Sequence, residues 1–417
     1  MKLLKLCKRY IGVVANVLLV LVMGFFLVAL LGKPGTGEAN IGSFETKPFN
    51  ENWSIRKDDT YQKITLPALW GIEEPTTVIL ENTLPKDAGK GMCFSMRTAM
   101  HDYEFYIDGE LREAYRKEEL HFVDKHLASA YVIIELRDSD AGKSIRIQVE
   151  AEEEVRINEA RLGYGNNIWF GIIRENLPVV FAACVLILCG VLAFLFALVL
   201  KKRLHANSTV LYLGQVMVIT GCWILSESKI RQLIFNNPSY SAVLSFLLIE
   251  VIAGFVAMYF NEIQKERYNT IYVIYEAGVI IQAAVNIGLA AGGLMPFRDT
   301  LILSHIWLLI GGVIFTGTCY KDARAKRIKD YSIIVAGMVL FVVFCIAEAV
   351  NYYVSEFPVL GMHLCAGLII LLVATIVQTI NDEISKVKQV VELERAKEAA
   401  ERTSQAKSQF LARVSHE

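Results

Sequence analysis

Charge is scarce in this chain. Only 20% of the 417 residues are Asp, Glu, Lys or Arg, and the net charge is −1. So even a balance leaves no global basic surface for nucleic acid. Proline (9) and tryptophan (5) are also sparse, which excludes a proline-rich or collagen-like scaffold. Eight cysteines occur without a CxxC spacing, so no zinc or dithiol redox site is indicated and no metal is expected. Seven of them lie in or beside apolar runs and read as small buried hydrophobes. Cys93 stands alone in the one large polar region, where a single thiol closes no bridge.

Apolar residues are abundant instead. They make up 54% of the chain, and mean hydropathy is +0.41. A soluble domain usually holds about 45–50% apolar residues with glycine included. Eight runs are long enough to cross a bilayer as helices: 10–32, 177–200, 208–226, 239–260, 270–291, 300–319, 331–353 and 359–380. Hydrocarbon offers backbone amides no partner, so such runs must be helical. The first run follows Lys2, Lys5, Lys8 and Arg9, and its uncharged stretch covers 11–32. That exceeds the roughly 7–15 residues of a signal-peptide core, so it reads as a retained anchor.

Cations in the short loops set the orientation. With the N-terminus inside, the inner segments carry Lys2, Lys5, Lys8, Arg9, Lys201, Lys202, Arg203, Lys265, Arg267, Lys321, Arg324, Lys326, Arg327 and Lys329. The outer short loops carry only Lys229, Arg231 and Arg298. This bias predicts a multi-domain membrane protein with both termini cytoplasmic and its partners including the lipid bilayer but no nucleic acid. Residues 1–9 are the cytoplasmic N-terminus, 10–32 the transmembrane anchor and 33–173 an extracytoplasmic domain. A seven-helix transmembrane bundle (174–381) and a cytoplasmic coiled-coil helix (382–409) follow.

The exported segment reads as a β-sandwich or jelly roll. Short strand-like runs at 78–81, 93–98, 104–107, 131–136 and 144–150 are separated by turn signals, above all Asp108-Gly109, a strong hairpin cue. AGKS at 141–144 lacks the upstream glycine of a phosphate loop and reads as a turn before a strand. His121, Asp124 and His126 fit no metal spacing and read as a surface loop. Trp53, Trp70, Tyr106, His121 and Phe122 are the candidates for ligand contact, since small-molecule sites combine aromatics with a few polar groups.

Within the apolar runs stand Glu250, Glu276, His305 and Glu348. Ionisable groups are costly in hydrocarbon and face the bundle interior. They suit a sensing site or interhelical hydrogen bonds, with Gln282 and Asn286 as partners for a carboxyl group.

From Ile380 the chain turns charged and rich in helix formers, without Pro or Gly. Ile380, Ile384, Val387 and Val391 recur at coiled-coil spacing, and Leu393, Ala396, Ala400 and Thr403 continue after a phase slip. A parallel homodimer is expected here. The last residues are KSQFLARVSHE. They resemble the start of the dimerisation and phosphoacceptor region of bacterial sensor histidine kinases (410–417), where F-L-A-x-[VI]-S-H-E precedes [IL]-R-T-P. The resemblance implies that His416 is phosphorylated and that Glu417 is the assisting acid or base. It also implies ATP and Mg as cofactors of the intact protein and a response regulator as onward partner. The [IL]-R-T-P run and the nucleotide-binding motifs are not among these residues, so the reading expects a C-terminally truncated, inactive piece with no cofactor of its own.

The layout and phrases such as FYIDGELREAY also resemble the seven-transmembrane receptors with diverse intracellular signalling modules. That resemblance implies a small, carbohydrate-like extracellular ligand. The expected function is the sensory and transmembrane half of a two-component sensor histidine kinase. The alternatives are a receptor of the same layout with another output, or a multi-span transporter with an exported binding domain. The transporter would more often show matched broken helices, which are absent from the sequence pattern.

Overall fold

The computed structural model divides into two units, Met1–Ser43 and Phe44–Glu417. It describes Leu21 and residues 44–414 apart from 58–59, 117, 121–122, 127, 152–153, 205–208, 236 and 356–359. The expected anchor over 10–32 therefore lies outside the described residues, save Leu21.

Residues 47–164 are β-rich. Among the described residues fourteen strands run β1 (Lys47–Pro48), β2 (Trp53–Lys57), β3 (Thr60–Ile64), β4 (Ala68–Trp70), β5 (Thr76–Thr83), β6 (Met92–Arg97) and β7 (Asp102–Ile107). They continue as β8 (Glu110–Tyr115), β9 (Glu118–Leu120), β10 (Val123–His126), β11 (Tyr131–Glu135), β12 (Ser144–Ala151), β13 (Val155–Ile157) and β14 (Ala160–Tyr164). Six of them form one antiparallel sheet in the order β3-β2-β5-β12-β7-β8, and four form a second in the order β1-β14-β6-β11. The period of two along a strand sends alternate side chains to one face. Thus Val78 and Leu80 of β5, Tyr103, Phe105 and Ile107 of β7, and Ile145, Ile147 and Val149 of β12 point inward. They share one core with Phe94 and Met96 of β6, Val132 and Ile134 of β11, and Leu162 of β14. Ile147 sits opposite Leu80 on one side and Phe105 on the other, which fixes the register. The β7–β8 hairpin turns at Asp108 (φ 52°) and Gly109 (φ 81°). A tight turn that matches strand twist requires both positive angles. AGKS forms the turn into β12, with Gly142 at φ 71°.

Among the described residues eight α-helices follow: α1 (Gly165–Leu204), α2 (Thr209–Glu227), α3 (Arg231–Ile234), α4 (Pro238–Ile263), α5 (Asn269–Ala291), α6 (Phe297–Arg324), α7 (Ser332–Val354) and α8 (Met362–Val414). All but the short α3 are long and apolar enough to cross a membrane, seven in total among the described residues. The chain is a multi-pass membrane protein with a β-sheet-rich region ahead of its helices.

The first of the seven starts earlier than its apolar run. α1 begins at Gly165, directly after β14, and continues through Pro178. Its opening turns are helical because Ile168 and Ile172 are buried with Cys93 of β6 and Ile230. Further along, α1 and α2 meet at Gly190 and Gly214. A Cβ on either would stand within 2.8 Å of the other's carbonyl oxygen, so only glycine allows this approach.

Seven crossings put the β-rich region and the far end of α8 at opposite ends of the bundle. The helices do not close into a ring. α7 packs along α8, while α6 packs on α4 and α5, and α6 and α7 scarcely touch along their length. At the β end this gap is bridged by a hydrogen bond between Tyr353 Oη and His305 Nδ1 (3.1 Å).

Candidate functional site

The β-rich region is held on the bundle by polar and apolar contacts together. Gln232 of α3 clasps Tyr131 of β11: its Oε1 accepts from the Tyr131 amide at 2.6 Å, and its Nε2 donates to the Tyr131 carbonyl at 3.1 Å. Arg161 of β14 pairs with Glu175 of α1 at 2.8 Å.

Beside this seam lies a cavity of about 1160 Å³ that starts between the two parts and descends into the bundle. Small-molecule pockets usually hold about 300–1,000 Å³. Its upper wall carries Arg97 at the end of β6, His101, Glu154, Arg156 of β13 and Asn158. Opposite them stand Glu227, Lys229 and Arg231 around the α2–α3 turn, and Arg298 at the start of α6. The lower walls are apolar, with Val216, Ile249, Phe260, Phe315, Met338 and Leu368 among them.

Two of the guanidinium groups are incompletely satisfied. The Arg231 side chain is only 5% exposed; it pairs with Glu227 at 3.0 Å, and its Nε has no partner. Arg97 Nε is likewise buried without a partner. Burial, reinforced by the positive charge of Arg231, pushes Arg97 below the usual arginine range. Burial and then the neighbouring Arg97 push Lys229 down as well. Mutually repelling, partly desolvated cations favour a counter-anion among them. Glu227 supplies part of this and is itself held by Ser245 Oγ at 2.9 Å.

The intramembrane ionisable residues separate into two groups. Glu250 is buried away from the cavity, between α4 and α5. Its Oε1 accepts from Asn286 Nδ2 at 2.8 Å and its Oε2 from Gln282 Nε2 at 2.5 Å. Both amide partners expected from the sequence are thus in place. Glu276 is half-buried on α5. His305 and Glu348 line the cavity. Glu348 caps the start of α8, accepting from the amides of Gly361 (2.8 Å) and His363 (3.2 Å).

Of the aromatic candidates, Trp53 lies at 0% exposure in the β core, its Nε1 donating to the Phe49 carbonyl at 2.7 Å. Trp70 packs partly buried against the same core. Tyr106 Oη donates to Glu104 at 2.6 Å, and Arg146 lies over the Tyr106 ring. None of these three lines the cavity. His121 and Phe122 lie outside the described residues, as do His416 and Glu417. Asp124 and His126 fall on the short strand β10, paired with β9, rather than in a loop. Among the described residues, no cluster of three or more His, Cys, Asp or Glu side chains could hold a metal ion.

Sequence reasoning passed over Arg97 and Arg156, which look like ordinary strand residues. Lys229, Arg231 and Arg298 did carry a signal: they are the three loop cations that oppose the charge bias, and all three line the cavity.

At the opposite end of the bundle, the Asp322 carboxylate accepts from Arg267 Nη2 (2.6 Å), Tyr331 Oη (2.7 Å) and Tyr268 Oη (3.1 Å). Gln378 of α8 donates to the Asp330 carbonyl at 3.0 Å. The Asp322 bonds join the two turns at that end to each other, and the Gln378 bond ties α8 to the second of them.

No protein-family profile matches the chain, and no curated protein matches it.

Proposed function

We propose that the chain is the sensory and membrane part of a bacterial sensor histidine kinase, with the cavity as its ligand site and α8 as its output rod. The observation that carries this reading is the continuity of α8. Leu364 and Leu368 near its start line the cavity, and the same helix runs unbroken for 53 residues to Val414, two positions before His416. At about 1.5 Å per residue it spans roughly 80 Å. The loop-charge bias supports an extracytoplasmic β-rich region and a cytoplasmic α8 extension. On that extension Ile380, Ile384, Val387, Val391 and Leu393 are exposed, which supports pairing with α8 of a second copy.

Ligand binding shifts the population between two arrangements of α8 only through contacts that differ between them. Leu364, Leu368 and the Glu348-capped first turn are where such contacts arise. At the other end, a neutral imidazole nitrogen of His416 attacks the γ-phosphoryl group of Mg–ATP, which is held by a catalytic domain outside these residues. A P–N bond forms, the bond to the β–γ bridging oxygen breaks, and ADP leaves. Glu417 takes the proton from the other ring nitrogen. The phosphoryl group then passes to an aspartate of a response regulator.

The test is autophosphorylation of the intact kinase in lipid nanodiscs. The parent protein should acquire an acid-labile, base-stable phosphoryl group from ATP, and His416→Gln should reduce labelling to background. Undiminished labelling of the variant would overturn the assignment.

A further inference from the structure

The cavity is two-faced, and its chemistry narrows what it takes. Five cationic side chains line it against three carboxylates. One of those carboxylates, Glu348, is committed to the first amides of α8, and another, Glu227, to Arg231 and Ser245. The cations gather at the end next to the β-rich region, although residues 33–172 as a whole carry more acidic than basic residues. Below them the walls are apolar, and the side between α6 and α7 is left unpacked along most of its length. In a bilayer that gap faces acyl chains. A sugar would leave the apolar lower half unfilled, and a small inorganic anion would leave nearly the whole volume unused.

Resting on the reading of this cavity as a ligand site, we propose that it binds a single-chain amphiphile with an anionic head group. The head, a carboxylate or phosphate, sits among Arg97, Lys229 and Arg231 and satisfies the unpartnered Nε atoms of both arginines. The alkyl chain lies along Phe315 and Leu368 and enters sideways from the bilayer between α6 and α7. The deep helix walls then sense the chain, while the head group bridges β6 to the α2–α3 turn.

The test uses this chain in phosphatidylcholine nanodiscs, with saturable binding of labelled hexadecanoate, hexadecyl phosphate and hexadecanol measured above partition into empty discs. At least one of the two anionic probes should bind saturably, about tenfold or more tighter than hexadecanol. Which of them does so separates a fatty-acid-like from a lysolipid-like source. Arg97→Gln should weaken that binding about 30-fold, the scale set by removing one member of a buried charge contact. Gly312→Phe should abolish it: Gly312 lines the cavity and a Cβ there meets nothing within 4 Å, so a bulky side chain has open space to start into the chain site. Monodisperse elution and an unchanged melting temperature establish that each variant is folded. Equal binding of hexadecanol, undiminished binding by both variants, or binding of inorganic phosphate as tight as that of hexadecyl phosphate would overturn the proposal. Binding is read without any kinase output, so its failure is separate from failure of the receptor reading. His416→Gln should leave binding unchanged.

Discussion

Glu250 shows how a carboxyl group survives among apolar helices. Its two oxygens accept one amide each from Asn286 and Gln282, on the facing α5. Removing the acceptor strands two buried amides, each costing about 1–3 kcal/mol. Glu250→Leu should therefore destabilise the bundle by about 2 kcal/mol or more, whereas Glu250→Gln, which keeps an acceptor oxygen, should lose less. Thermal unfolding in nanodiscs checks this, and equal losses would show that the amides do not depend on Glu250. This pairing was legible in the sequence, because the residue types and the cost of an unpaired polar group restrict the partners. Arg97 was not legible. Nothing local distinguishes the last residue of a strand that ends in solvent from one that ends over a membrane cavity.

Among the elements, strands β5, β6, β7, β11 and β12 and the seven long helices follow from periodicity and apolar length, because those patterns express burial directly. The start of α1 does not. Its first turns carry Asn167, Arg174 and Glu175, and they are helical through tertiary packing of Ile168 and Ile172. α8 poses the converse case: every residue from Ile384 to Arg402 is exposed, an apolar seam among them. Val387 is 62% exposed. In membranes, Val387→Cys should form disulfide-linked dimers on mild oxidation, whereas Gln389→Cys, about 200° away around the helix, should form few. Equal yields would argue against a paired seam. At the α1–α2 crossing, Gly214→Leu should push the helices apart and lower the yield of folded protein. A parent-like yield and melting temperature would show that the close approach is dispensable.

At the scale of the whole molecule, the joints between the β-rich region and the helices include the β14–α1 continuity, the Gln232–Tyr131 clasp and the Arg161–Glu175 pair. The cavity lies beside all three. Gln232→Ala removes both clasp bonds and should loosen the seam by about 1–3 kcal/mol, read as faster amide exchange at Tyr131 with the β core still protected. Unchanged exchange there would mean that the clasp does not hold the seam. The Asp322 cluster holds the opposite end, and in the proposed reading a change at the cavity travels along α8. The measurement that bears most directly on the proposed function is the rate of His416 phosphorylation in the proposed full-length kinase when the cavity alone is altered. Gly312→Phe occupies it away from the far end of α8, and the proposed coupling predicts a severalfold change in rate with the protein folded and His416→Gln unlabelled. A rate equal to that of the parent would contradict it.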